Sequence, residues 1–294
     1  MAKIVLTADK SMMVHFPATL YAGFLSCFPT KSMPDIIYRK ILPSVKANED
    51  GTTDFPIMPL RAVEAICINS GFKREDVKIA HPDHLKKIIK EDTKIVGVSA
   101  TDPLGIGPET TFWSSIFSGI PHNRVKFALL MQEIMKLKEK YHFKVLLGGP
   151  GSWQFTREDF MDAYGIDHVV IGEGEHVIPS LFEDIISEEN LSKRVHSGRI
   201  AEIDEVYPIL GPTNSSLVEI ARGCGRGCQF CAPNVAGKLR SLPIEKILAD
   251  AQTYLKWNVN TLTLHSEDTL RYGSKDFMAD QDALLGLYLS LIHI

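Results

Sequence analysis

Cysteine is scarce in this chain, with five among 294 residues. That is too few for the disulfide framework of a small secreted fold, and it fits a reducing, cytoplasmic compartment. Long hydrophobic runs are missing too. The uncharged stretch 283–294 is too short to cross a bilayer, so no membrane association is expected. The opening Met-Ala-Lys-Ile-Val-Leu carries no signal-peptide pattern. Neither sign of charge dominates: 32 Lys and Arg stand against 36 Asp and Glu, a net charge of −4. This argues against general nucleic-acid binding but leaves a specific RNA or protein substrate open. A second short metal hook of the C-x2-4-C or H-x3-5-H kind is also absent, which argues against the usual zinc sites. What remains is ordinary for a globular protein, 45% hydrophobic and 23% charged, at a length that predicts two domains.

Three of the five cysteines crowd into one run, Glu219-Ile220-Ala221-Arg222-Gly223-Cys224-Gly225-Arg226-Gly227-Cys228-Gln229-Phe230-Cys231. The spacing is C-x3-C-x2-C, and the apolar stretch Leu217–Ala221, which reads as a strand, feeds straight into it. Three thiolates on one tight loop can hold three irons of a cubane cluster. A [4Fe–4S] cluster normally takes four cysteines, so one iron is left open to a substrate or cosubstrate. The three glycines let the backbone wrap closely around a large inorganic core. A zinc site completed from elsewhere and three unrelated cysteines are the competing readings. Cys27 and Cys67 fall on apolar-periodic stretches and read as small buried hydrophobes.

The Cys224, Cys228 and Cys231 pattern, with Arg222-Gly223 before the first thiol and Phe230 before the third, resembles the signature of the radical S-adenosylmethionine (SAM) superfamily. The resemblance implies that SAM chelates the open iron and that the reduced cluster cleaves it to a 5′-deoxyadenosyl radical. It also implies an electron donor such as flavodoxin or ferredoxin. The chain beyond the motif continues suitably. Ser241-Leu242-Pro243 reads as a helix start, with apolar residues at Ile244, Ile247, Leu248, Ala251 and Leu255. Val259–Leu264 reads as a strand ending in His265-Ser266-Glu267-Asp268. Strand, loop, helix, strand is the opening of a (β/α) barrel, with its chemistry at the strand C-termini. By resemblance, Glu267 is the candidate for the SAM amine and Asp268 the runner-up. Phe230 is expected beside the adenine, and Arg240 is a candidate for the SAM carboxylate. A full barrel takes roughly six βα units of about 30 residues each, and the residues after Cys231 have room for two, so the chain is expected to be incomplete within the barrel.

Ahead of the motif, strand and helix alternate. Strands are expected at Lys3–Ala8, Val77–Ala80, Lys94–Ser99, Phe143–Gly149 and Asp167–Ile171. Helical stretches are expected at Thr19–Cys27, about 60–71, His84–Lys90, Arg124–Tyr141 and up to about Ile186, with a polar insertion from about Phe28 to Phe55. The fold class is therefore α/β: a doubly wound parallel sheet over 1–186, a linker over 187–214, and the first part of a (β/α) partial barrel over 215–294.

Val98-Ser99-Ala100-Thr101, Leu147-Gly148-Gly149-Pro150-Gly151 and Val170-Ile171-Gly172-Glu173-Gly174-Glu175 resemble the cobalamin-binding domain that precedes the barrel in one large radical SAM class. The resemblance assigns Ser99, Thr101, Gly148, Gly149, Gly151, Gly172 and Glu173 to cobalamin. Small residues at the strand ends leave room for the nucleotide tail, and the two hydroxyls can bond to it. The same glycines also serve a sheet that binds nothing. The D-x-H-x-x-G run of His-ligated cobalamin is replaced by Asp9-Lys10-Ser11-Met12-Met13-Val14, so no His ligand to cobalt is expected, and nearby His15 reads as a packed or surface residue. The resemblance implies a cobalamin-dependent radical SAM enzyme that methylates an unactivated carbon. One alternative is a methylthiotransferase, whose second cluster needs three N-terminal cysteines where this chain has Cys27 and Cys67. Another is a cobalamin- or metal-binding protein without turnover. The substrate is not legible.

Overall fold

Aliphatic and β-branched runs build the frame. A computed structural model describes residues 2–15, 20–189, 191–229, 231 and 237–293. Its first part runs β1 (Ile4–Ala8), α1 (Asp35–Ile41), α2 (Met58–Asn69), β2 (Val77–Ile79), α3 (Leu85–Ile88), β3 (Ile95–Ser99), α4 (Pro108–Ile116), α5 (His122–Tyr141), β4 (Lys144–Gly148), α6 (Glu158–Ala163), β5 (His168–Ile171), α7 (Val177–Ile186) and β6 (Val195–Ser197). The strands form one parallel sheet in the order β2-β1-β3-β4-β5-β6. Every residue of β1 and β3 is buried, as inner parallel strands require, whereas the edge strand β2 exposes Lys78 between two buried neighbours.

Both faces of the sheet are covered. Ile4, Leu6 and Ala8 of β1 pack with Leu60 and Ile66 of α2 and with Leu181 and Phe182 of α7. Val5, pointing the other way, packs with Phe127, Met131 and Ile134 of α5. The chain thus winds doubly, as the alternation of elements predicts. The strand order reverses between β1 and β3, and at such a switch point the strand C-termini open a crevice for ligands.

Five elements depart from the sequence reading. Helix α1 lies inside the expected polar insertion, and α4 and α6 occupy stretches without an expected helix. Strand β6 falls within the stretch read as linker, yet it pairs with β5 through Val169↔Val195 to Ile171↔Ser197. The stretch 20–27 is helical as expected, but wound as a 3₁₀ helix, tighter than an α-helix.

The second part holds β7 (Leu217–Glu219), β8 (Ala221–Arg222), β9 (Arg240–Ser241), α8 (Ile244–Lys256), β10 (Thr263–His265) and α9 (Gln281–Ile292). Strands β7 and β10 pair in parallel with α8 between them, the expected opening of a (β/α) barrel. Val218, Ile220, Ile247, Tyr254 and Leu287 form its core. The two parts are tied together. Arg61 of α2, itself buried against Glu64 at 2.7 Å, donates to the carbonyl of Pro212 at 3.0 Å. The Asn214 amide donates to the carbonyls of Met12 and Val14 at 3.0 and 2.8 Å. Among the described residues, no helix is long and apolar enough to cross a membrane.

Candidate functional site

The cysteine run forms a loop between two antiparallel strands. β8 and β9 pair through Ala221↔Ser241 and Arg222↔Arg240, so the chain leaves at Arg222 and returns at Arg240 side by side. Gly223, Gly225 and Gly227 all take left-handed backbone, with φ of 69°, 71° and 64°. A Cβ on Gly223 would lie 2.5 Å from the Gly237 carbonyl oxygen, so the loop closes on itself there. Cys224 is buried, while Cys228 and Cys231 are half-buried. Burial, and then the neighbouring Cys228 and Cys224, push the Cys231 thiol up. Among the described residues, no group of three His, Cys, Asp or Glu side chains converges to hold a single metal ion. Phe230 lies outside the described residues.

The loop is held from behind by an arginine that carries no sequence motif. Arg271 is buried, and its guanidinium donates to the Cys224 carbonyl at 2.5 Å and to the Asp276 carbonyl at 2.8 and 2.5 Å. The ring of Phe277 lies 4.5 Å from its centre.

Beneath the loop, five charged residues interlock. Arg222 contacts Glu175 at 2.6 Å, Glu219 at 3.0 Å and Glu173 at 3.1 Å. Arg240 also pairs with Glu173 and donates to the Ala201 carbonyl at 2.6 Å. Glu173 follows β5, so the network joins the end of the parallel sheet to both strands of the loop's stem. Burial alone would raise Glu173, but the Arg240 hydrogen bond and the Arg222 charge outweigh it and hold the carboxyl below its usual range. Burial likewise disfavours the Arg222 charge, and Glu219 and Glu175 more than reverse that. Glu173 and Arg240, read from sequence as contacts to two different ligands, are thus partners of each other. The Arg222-Gly223 pair before the first thiol was the available signal for this network, but its three carboxylate partners were not legible.

Glu267 and Asp268 follow β10 and differ in the same way. Asp268 pairs with Arg226 of the loop at 2.6 Å. Glu267 is exposed, lines the cleft and has no hydrogen-bond or ion-pair partner among the described residues.

On the sheet side, the glycines divide by role. A Cβ on Gly148 would meet nothing within 4 Å, so this position is open to the cleft. A Cβ on Gly149 would lie 2.7 Å from the Ser99 hydroxyl, one on Gly151 would lie 2.4 Å from the Thr101 carbonyl oxygen, and one on Gly172 would lie 2.8 Å from the Gly198 carbonyl oxygen. These three serve backbone crossings. Ser99 lines the cleft, but its hydroxyl is buried and has no hydrogen-bond partner among the described residues, whereas Thr101 donates to the Met12 sulfur at 3.4 Å. At the end of β1, Asp9 accepts from the Ser11 amide at 2.7 Å and from its hydroxyl at 2.5 Å. Burial raises Asp9 to about 6 against those bonds. Cys27 and Cys67 are buried as expected, and burial pushes Cys67 up to about 12.

These walls enclose one cavity of about 860 Å³, bounded by Ser99, Gly148 and Gly172 on the sheet side and by Arg222, Gly223 and Glu267 on the loop side. That is at the large end for ligand sites. A smaller cavity of about 360 Å³ lies beside Lys10, Lys86 and Lys126, each already paired with an acid (Asp83, Glu133 and Asp35).

No family model matches the chain. By sequence it is similar to ribosomal protein uS12 methylthiotransferases. It is 31% identical to RimO of Sulfurihydrogenibium sp. (strain YO3AOP1) over 142 residues, which is 48% of this chain and 30% of that protein. It is 30% identical to RimO of Chlamydia felis over 159 residues, or 53% of this chain and 33% of that protein. The matches thus span about a third of those relatives' length. By fold it is similar to the radical S-adenosylmethionine methyltransferase TsrM from Kitasatospora setae. The structure of that protein with cobalamin and a [4Fe-4S] cluster superposes with a TM-score of 0.60 at 13% identity, covering 100% of this chain and 53% of that one. A second structure of the same enzyme, with tryptophan substrate and a SAM analogue, gives 0.59 at 12% identity. The fold is similar to that of TsrM, an N-terminal parallel sheet followed by the opening of a (β/α) barrel.

Proposed function

We propose that the chain is part of a radical SAM enzyme that binds a [4Fe–4S] cluster through Cys224, Cys228 and Cys231, and takes cobalamin at the end of its parallel sheet, residues 1–186. The observation that carries this reading is the single cleft shared by the strand ends and the stem of the cysteine loop. When bound, the cluster supplies the electron that cleaves SAM, and cobalamin supplies a methyl group for an unactivated carbon. The residues of this chain do the rest. Gly148 leaves the space for the corrinoid's tail, beside Ser99 in the cleft wall. Leu146, Val170 and Ile178 line the cleft with apolar surface that excludes water. The unpartnered Glu267 accepts from the SAM amine, while Asp268 stays with Arg226. Arg240, tied to Glu173, shapes the cleft wall.

A second reading, a methylthiotransferase, has the better support from sequence, because the relatives matched are of that kind. That class needs three N-terminal cysteines for a second cluster. Here the N-terminal part has two, Cys27 and Cys67, both buried. Anaerobic reconstitution of the whole chain, with iron and sulfide assays and a hydroxocobalamin titration, tests the two readings together. The cobalamin reading expects about four irons per chain. The iron is lost in the Cys224→Ala, Cys228→Ala or Cys231→Ala variant and kept in Cys27→Ala and Cys67→Ala, with cobalamin bound at tens of micromolar. About eight irons, half of them dependent on Cys27 or Cys67, with no cobalamin uptake, would establish the methylthiotransferase reading instead.

A further inference from the structure

We propose that Arg271 is a positioning residue that tunes the reduction of the cluster through its charge, an inference that rests on the cluster reading above. An arginine side chain stays charged in a protein interior. This one is buried, and all three of its hydrogen bonds go to main-chain carbonyls, those of Cys224 and Asp276. Among the described residues no ion pair joins it to a carboxylate. The nearby acids are engaged elsewhere: Asp268 binds Arg226, and the Asp276 carboxylate accepts from the Met278 amide at 2.7 Å and from the Ser274 hydroxyl. The Phe277 ring beside the guanidinium shields it while tolerating its charge.

A full positive charge is therefore anchored to the peptide of the first cluster ligand, without a counter-ion among the described residues. The complement it meets is the negative charge of three thiolates. One-electron reduction adds one negative charge there. The electron comes from an external donor, and no bond to Arg271 forms or breaks. A fixed cation favours the more negative state. In an effective dielectric of about 20, a unit charge roughly 10 Å away shifts such an equilibrium about tenfold.

The test is a redox titration of the reconstituted full chain, read by the reduced-state EPR signal, in wild type, Arg271→Lys and Arg271→Met. The expected result is a ratio of reduced to oxidised cluster that falls about tenfold at fixed poise in Arg271→Met, which is 59 mV for a one-electron couple. Arg271→Lys, which keeps the charge and gives up the fork, should stay within about threefold of wild type. An unchanged ratio in Arg271→Met overturns the proposal. So does an equal loss in both variants, or failure of both to retain iron, because the fork would then merely hold the loop. A wild-type chain that takes up no iron defeats the cluster reading itself, a result visible without either variant.

Discussion

On the sheet side of the cleft, glycines sit where one backbone crosses another, at Gly149, Gly151 and Gly172. On the loop side, Gly223, Gly225 and Gly227 sit where the chain must turn left-handed, and only Gly223 is also pressed against another segment at close range. The sheet wall is thus fixed by its own packing. The loop is fixed from outside, by Arg222 and the carboxylates below it and by Arg271 behind it. A wall made by packing tolerates the loss of a charge. A loop made by tethers does not.

The sharpest way to break this contrast is Arg222→Met. It strands Glu173, Glu175 and Glu219 with reduced or no pairing, and breaking a buried ion network by removing one partner costs about 3–5 kcal/mol. Denaturant unfolding should show that loss, and hydrogen exchange should show the loop stem opening while β1 and β3 stay protected. Uniform loss of protection across both parts would contradict the tether account.

Asp9 tests the packed wall by pH. Its folded value, about 6, lies above the ordinary carboxylate value of 3.8, so the folded state holds the proton more tightly than the unfolded state. Its contribution to stability is full below about pH 4 and falls as pH rises towards 6, by on the order of 2–3 kcal/mol. Asp9→Asn should remove that slope, so its stability relative to wild type rises across this window. Parallel pH curves for the two proteins would refute the assignment.

The glycine pair separates space from strain. Gly149→Val meets Ser99 at a φ of 87° and should lose about 1–3 kcal/mol. Gly148→Leu should leave stability within about 0.5 kcal/mol and block hydroxocobalamin uptake. If Gly148→Leu binds cobalamin as wild type does, the corrinoid lies elsewhere.

The smallest expected effect is at Glu267. Glu267→Gln should weaken SAM binding about tenfold in the reconstituted protein, the loss of one charge-assisted hydrogen bond, with iron content unchanged. Asp268→Asn should do less, since that carboxylate is occupied by Arg226. The reverse ranking would transfer the role to Asp268.

Legibility in the sequence followed the range of the interaction. The inner strands, α2, α5 and the cysteine loop are written in short runs of residues and were readable. Helix α4 was not, because its outer residues Phe112 and Ile116 are exposed and blur the periodic stripe. Nor was β6, three residues long at a sheet edge. Glu173 and Arg240 were found as candidates, but not as partners, because 67 residues separate them. Arg271 left no trace, since its partners are main-chain carbonyls that any sequence supplies.

The joint formed by Arg61 and Asn214 bears on timing as well as on shape. Its bonds run from α2 to the Pro212 carbonyl, and from Asn214 to the carbonyls of Met12 and Val14. They form once, when the chain folds. The entropy of bringing the two walls of the cleft face to face is therefore spent during folding, and does not recur with each round of binding. Whatever enters between the walls meets partners already oriented, so its affinity and its reactivity draw on an arrangement completed before it arrived.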